Sequence, residues 1–345
     1  MTNQHEITTR MPLLNREGNL TEPGWARGLL WDYHRPDIRA SGMRIKEWDY
    51  YFVSNGHIGL ALTIADNGYM GLDSVSYLDF DEKWEITKSP MRLLPMGKTA
   101  LPETSAAGSS EIARGGYALA FYHDDDGTRK LTFHMDKFRG KDAIEGMISL
   151  SDEPAESMVI ATPFGKAGHF YYNQKINCMR ASGWIELGGA RVELDPKTWF
   201  AVLDWGRGVW TYHNTWYWGS ASGEVDGVPF GWNIGYGFGD TSAASENVLF
   251  YGGKIHKLSQ VRFEIPMQDG KEDYLAPWRF SSDDGRFEMA FTPILNRAAY
   301  TSVGVIKSDQ NQVFGRFTGT AALDDGTVLQ VNDFFGFAEK VENKW

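Results

Sequence analysis

A single cysteine in 345 residues excludes a disulfide framework and any cysteine-based zinc or iron–sulfur centre. Basic residues are also in deficit: 34 Lys and Arg stand against 45 Asp and Glu, a net charge of −11. Such a chain lacks the basic face that releases counterions from a phosphate backbone, so no nucleic-acid partner is expected. No run approaches the roughly 20 apolar residues of a membrane-spanning helix, and residues 1–10 hold no apolar core of a secretory leader. The expectation is a cytoplasmic protein with Cys178 free. The eight histidines show no i, i+2 or i, i+4 pairs, so no metal site is expected. The common catalytic motifs are missing too. In Gly235-Tyr-Gly237-Phe-Gly239-Asp240 the third glycine of a dinucleotide loop falls on Asp240, and no helix is predicted to follow. Gly219-Ser-Ala-Ser-Gly223 carries Ala221 where a nucleophile elbow needs serine.

What the chain has in excess is aromatic: 13 Trp, 15 Tyr and 20 Phe, beside 38 Gly. Rings and glycines at modest hydrophobicity suit half-buried strands and tight turns. Residues 48–53 and 57–64 read as strands around Ser54-Asn55-Gly56, a hairpin signal. Residues 117–122 and 130–138 flank the turn Asp124-Asp125-Asp126-Gly127. Stretches 69–80, 144–150, 157–162 and 191–203 continue the strand pattern, and only residues 20–30 leave room for short helices. Residues 95–115 and 268–273 read as loops. The prediction is an all-β chain, long enough for two domains.

An internal duplication is also expected. The strand–turn–strand around Gly127, with Leu119, Phe121, Leu131 and Phe133, resembles that around Gly285, with Trp278, Phe280, Met289 and Phe291. The two turns lie close to half the chain apart. The division predicted is 1–190 and 191–345.

The densest chemistry lies in residues 199–218. An apolar strand delivers Asp204, then Trp205-Gly206-Arg207-Gly208, then a second aromatic strand with Trp210, Tyr212, Asn214, Trp216 and Trp218 on one face and His213 on the other. Asp204 and Arg207 admit two readings. One is an ion pair clamping a loop. The other is a general acid at the mouth of an apolar cavity, positioned by Arg207 and assisted by His213 or Tyr212. Glu47 and Asp49 share a face and read more simply as a solvated outer surface than as an acid–base pair. The alternation of Asn233, Gly235, Gly237 and Gly239 leaves a bare strand face, against which a bulky ring can lie.

These segments carry a resemblance. Lys46 to Tyr51, Asp204 to Gly208, Trp216 to Gly223, and Gly239-Asp240 through Glu246-Asn247 to Gly253-Lys254 resemble an uncharacterised family grouped with carotenoid 1,2-hydratase, the AttH-like proteins and tocopherol cyclase. The similarity runs over residues 13–337. It implies a pair of lipocalin-like (calycin-type) antiparallel β-barrels or half-barrels. It also implies cofactor-independent chemistry on apolar isoprenoid or polyketide substrates, by protonating an alkene and then adding water or closing a ring. No catalytic residue transfers from the resemblance. On chemical grounds Asp204, Arg207, His213 and Tyr212 are the catalytic candidates. Trp205, Trp210, Trp216, Trp218, Tyr236 and Phe238 are expected to line a cavity for a hydrophobic small molecule. A non-catalytic carrier of an apolar ligand is the alternative, and a carbohydrate-active β protein the third.

Overall fold

Strands here alternate between two apolar environments rather than between core and solvent. In Ile45–Ser54, Tyr51 and Val53 enter one interior while Tyr50 and Phe52 enter a second layer. The computed structural model describes residues 4–124, 126–303 and 306–344; Asp125 of the acidic turn lies outside them. Among the described residues the chain is all-β, with a fourteen-stranded and a nine-stranded sheet and one 3-10 turn at Arg35–Asp37. Among these residues no helix is long and apolar enough to cross a membrane.

The first sheet runs, in spatial order, through Trp84–Lys88, Met70–Asp79, Ile58–Asp66, Ile45–Ser54, Phe200–Val209, Phe170–Leu187, Asp142–Ser151, Arg129–Arg139, Tyr117–His123 and Gly108–Arg114, all antiparallel. It curls until its far strands touch: the Tyr117 hydroxyl donates to Asp73 at 2.9 Å, and the Ser110 hydroxyl donates to Asp49. Trp31, Tyr33, Phe133, Phe170 and Trp205 help fill the interior.

The second sheet runs through Lys254–Lys257, Val248–Tyr251, Val228–Tyr236, His213–Val225, Val328–Lys344, Ile306–Ala322, Phe287–Val303, Trp278–Ser282 and Val261–Glu264. It curls in the same sense, bringing the Tyr236 and Phe263 rings to 5.4 Å. The hairpins around Gly127 and Gly285 each supply the second and third strands from an outer edge. The fold is thus two curled antiparallel half-barrels of one design.

Three segments differ from their expectation. Ala190–Leu194 and Phe200–Val209 both pair with Phe170–Leu187, so the chain passes to the second sheet between Val209 and His213 rather than at residue 190. Gly24–Ala26 is a strand on Met158–Pro163, not helix, and Gly108–Arg114 is an edge strand rather than loop. The first draws its hydrogen bonds from a partner distant in sequence, which local composition does not reveal; the second closes a tight hairpin with Tyr117–His123 across Gly115-Gly116.

The outer faces of the two sheets pack on each other. Tyr50, Phe52, Phe80, Val202, Trp218, Phe314 and Phe337 form one cluster between them, and Trp25, Tyr171, Trp210, Phe238 and Phe250 belong to a second.

Candidate active site

Between these clusters the sheets part around a cavity of about 300 Å³. Cross-strand register builds its walls. On the first sheet Ser74, Thr63, Tyr50, Asp204 and Lys175 are successive partners across five strands. On the second, Arg297, Gln312, Glu339 and Trp218 are successive partners across four. All nine line the cavity. Partners directly opposite in neighbouring strands project to the same face, so each row is one continuous wall.

One end is aromatic. Phe238 is the hub, with ring centroids 5.0 Å from Tyr171, 5.0 Å from Trp210 and 5.3 Å from Trp216, mostly edge to face. Trp48 joins at 5.2 Å from Trp210. Gly206 explains where Trp48 sits. A Cβ on Gly206 would come within 1.9 Å of the Trp48 indole, which lies flat on the glycine of its cross-strand partner position. Gly206→Ala is therefore expected to expel this ring and cost about 1–3 kcal/mol, read as a shift in the chemical unfolding midpoint. The bare strand face around Gly235 holds a carboxylate rather than a ring. A Cβ there would meet Glu246 Oε1 at 2.5 Å, and Asn233 donates to the Glu246 carbonyl at 2.9 Å.

The charged groups lie toward the middle. Lys175, 3% exposed, pairs with Asp204 Oδ2 at 2.9 Å and sits 4.0 Å from the Trp218 ring centroid. Asp204 Oδ1 also accepts from Asn173 at 2.6 Å. Glu339 Oε1 accepts from the Trp216 indole N–H at 2.7 Å, and Oε2 accepts from Gln312 at 3.1 Å. Burial pushes the Glu339 carboxyl up to about 7, and the Asp204 charge adds to that push, against the Trp216 hydrogen bond, Arg297 and Lys175. Glu246 is raised likewise, chiefly by burial and also by Asp204, with Lys175 opposing. The Gln312 carboxamide oxygen is buried and makes no hydrogen bond among the described residues, while the buried Tyr50 hydroxyl faces the side chains of Gln312 and Arg297.

The sequence candidates divide. Asp204, Trp210, Trp216, Trp218 and Phe238 meet at the cavity. The expected Asp204–Arg207 contact does not form, because three residues along a strand place the two on opposite faces. Lys175 takes that position instead. Arg207 is fully buried beneath the first sheet, 3.0 Å from Asp49. Glu47 and Asp49, expected on a solvated face, are buried there with it, and Glu47 also binds Arg35 and Tyr33. Trp205 packs with Tyr33 and Tyr172 inside the first half-barrel. Tyr236 packs with Tyr217 and Phe263 in the second. Tyr212 and His213 are exposed, outside the cavity lining. Glu339, Lys175 and Arg297 were absent from the sequence candidates. Glu339 did leave a trace: it alternates with Phe335, Phe337 and Val341, an acid on an apolar face.

A family model described as a domain of unknown function, DUF2804, matches residues 4–345. The chain belongs to the DUF2804 family. No curated protein matches it in sequence. Among solved structures, this DUF2804 chain is similar to an AttH-like protein (NE1406) of Nitrosomonas europaea, with 14% identity, a TM-score of 0.55, and coverage of 91% of this chain and 98% of that one. It is similar as well to kievitone hydratase of Nectria haematococca, at 10% identity and TM-score 0.55, covering 97% and 98%. At such identities the likeness concerns the fold, and DUF2804 shares with both the paired lipocalin-like architecture.

Proposed function

We propose that the chain is an acid catalyst acting on an apolar, unsaturated small molecule by hydration, dehydration, isomerisation or cyclisation. The observation that carries this reading is Glu339: a half-buried carboxyl, pushed up to about 7 by desolvation, that lines an aromatic cavity. Protonating an alkene needs an acid that still holds its proton at working pH. It also needs ring faces to stabilise the cation that forms, which Trp216, Trp218, Trp210 and Phe238 supply. Asp204 is engaged as the anion of an ion pair, so the donor role passes to Glu339. The Asp204 charge then favours the protonated form of its neighbour.

In the forward direction Glu339 gives its proton to one alkene carbon and leaves a cation on the other. Water adds there and loses a proton back to the carboxylate, or a second double bond closes on the cation and a carbon-bound proton is lost. Either route restores the acid. The Tyr50 hydroxyl, beside Gln312 and Arg297, and the Gln312 oxygen, which has no partner among the described residues, both line the cavity and are suited to orient the water or the departing hydroxyl. The hydratase named among the structural neighbours fits this chemistry.

The test works without an identified substrate. The protein is incubated in D2O with a lipid extract, and compounds are screened by mass spectrometry for deuterium bound to carbon. Acid catalysis at an alkene labels at least one compound in a protein-dependent way. Retention of an apolar compound without label would make the protein a carrier. A sugar in the bound fraction would displace both readings.

A further inference from the structure

The end of the cavity away from the aromatic hub is polar, and its residues are arranged to receive oxygen. Arg297 leads the row Arg297–Gln312–Glu339–Trp218 and lines the cavity half-buried. Its guanidinium donates to the Ser76 hydroxyl across the sheet interface at 2.8 Å and also faces the Tyr50 hydroxyl, and among the described residues it forms no ion pair with a carboxylate. Further N–H donors of this planar fork remain for another acceptor. Around it the first sheet presents hydroxyls. Ser74 pairs with Ser89 at 2.9 Å, and the Ser76 and Thr87 hydroxyls lie 2.9 Å apart. Glu85, the carboxylate at this end, is held by the Thr87 hydroxyl at 2.8 Å. Ala298, Ala299, Thr87 and Ser89 are exposed, so this end is the mouth.

Building on the acid-catalyst reading, we propose that the substrate is an amphipathic unsaturated carboxylic acid that enters tail first, its carboxylate held by Arg297 at the mouth and its alkene beside Glu339. The register sets the spacing. Arg297 and Glu339 stand two strands apart, on the order of 10 Å at the backbone. The double bond that reacts is therefore several carbons from the carboxylate, not conjugated to it. A planar guanidinium recognises the two oxygens of a carboxylate as a pair, whereas an ester or alcohol offers only uncharged acceptors and forfeits the charge-assisted part.

Geranic acid is a probe of suitable length, with a double bond remote from its carboxylate, and its methyl ester is the neutral counterpart. Binding is measured by calorimetry at pH 8, without reference to turnover. The wild-type protein is expected to bind geranate at least about tenfold more tightly than methyl geranate. Arg297→Gln is expected to bring the acid down to the level of the ester and leave the ester unchanged, and Arg297→Lys to keep part of the preference. Equal affinity for acid and ester, an Arg297→Gln variant that weakens both alike, or binding of neither compound would overturn the proposal. The wild-type ratio is decisive even where a variant fails to fold. The two readings fail separately: absence of deuterium labelling removes the catalytic reading and leaves acid preference measurable, while loss of acid preference removes the Arg297 site alone.

Discussion

Glu339→Gln is expected to abolish nearly all protein-dependent deuterium incorporation, a loss of about 10²–10⁴-fold, while the protein remains folded. The substitution keeps the shape and one acceptor oxygen for the Trp216 indole, and rotation of the Gln312 amide gives the new N–H₂ an acceptor in the currently unpartnered Gln312 oxygen. Only the titrating proton is lost. The pH dependence follows from the groups facing this carboxyl: Trp216 on its neighbouring strand, Gln312 and Arg297 beyond, and Tyr50, Asp204 and Lys175 from the opposite sheet. With its titration displaced from 4.5 to about 7, the proton donor is depleted above about pH 7, and the wild-type rate falls there.

Stability moves with the same group. A carboxyl whose folded titration is raised contributes stability that is complete below the unfolded value and lost as pH rises through the folded one. On this account wild-type stability declines between about pH 4.5 and pH 7. Glu339→Gln, which cannot ionise, is therefore more stable than wild type above pH 7, and the difference closes toward pH 4.5. A rate that ignores pH across this window, or a variant that retains labelling, would remove Glu339 from the mechanism.

The sequence displayed part of each wall of this cavity and concealed the rest. Asp204 and the rings Trp210, Trp216 and Trp218 fall within a few residues of one another, so alternation alone marked them as a site. Arg297, Gln312, Glu339 and Lys175 come from strands far apart in the chain, and only pairing register makes them neighbours. Alternation states which residues share a face of one strand, not which strand lies opposite. Double-sided burial added a second ambiguity. With both faces apolar, Glu47 and Asp49 looked like a solvated surface because charge is ordinarily external. Their neutralising partners, Arg35 and Arg207, lie 12 and 158 residues away from the atoms they bind. The architecture was more legible than the site. Ring-rich strands, turn glycines and two similar hairpins are local features, whereas the passage between sheets depends on where Phe200–Val209 finds its partners.

Arg207→Met is expected to be the most destabilising of these substitutions, about 3–5 kcal/mol, without a direct effect on chemistry. The Arg207 side chain is 0% exposed. One terminal nitrogen donates to the carbonyls of Trp48 at 2.8 Å and Gly206 at 2.9 Å and to Asp49 at 3.0 Å; the other donates to the Pro102 carbonyl at 2.8 Å. Its guanidinium also lies 4.2 Å from the Trp205 ring centroid. Removing it strands a buried Asp49 with only the Ser110 hydroxyl, and leaves three carbonyls short of a donor. Glu47 is less exposed to the loss because Arg35 and Tyr33 still hold it. The penalty thus comes mainly from one uncompensated buried charge, which makes it partly reversible. Replacing Asp49 as well, in an Arg207→Met/Asp49→Leu pair, is expected to recover much of the stability, because an apolar pair no longer leaves a charge unpaired. Chemical unfolding of the single and double variants measures this coupling. A single variant that unfolds at the wild-type midpoint yet no longer labels its substrate would place Arg207 in the reaction and contradict its burial beneath the opposite face of the sheet.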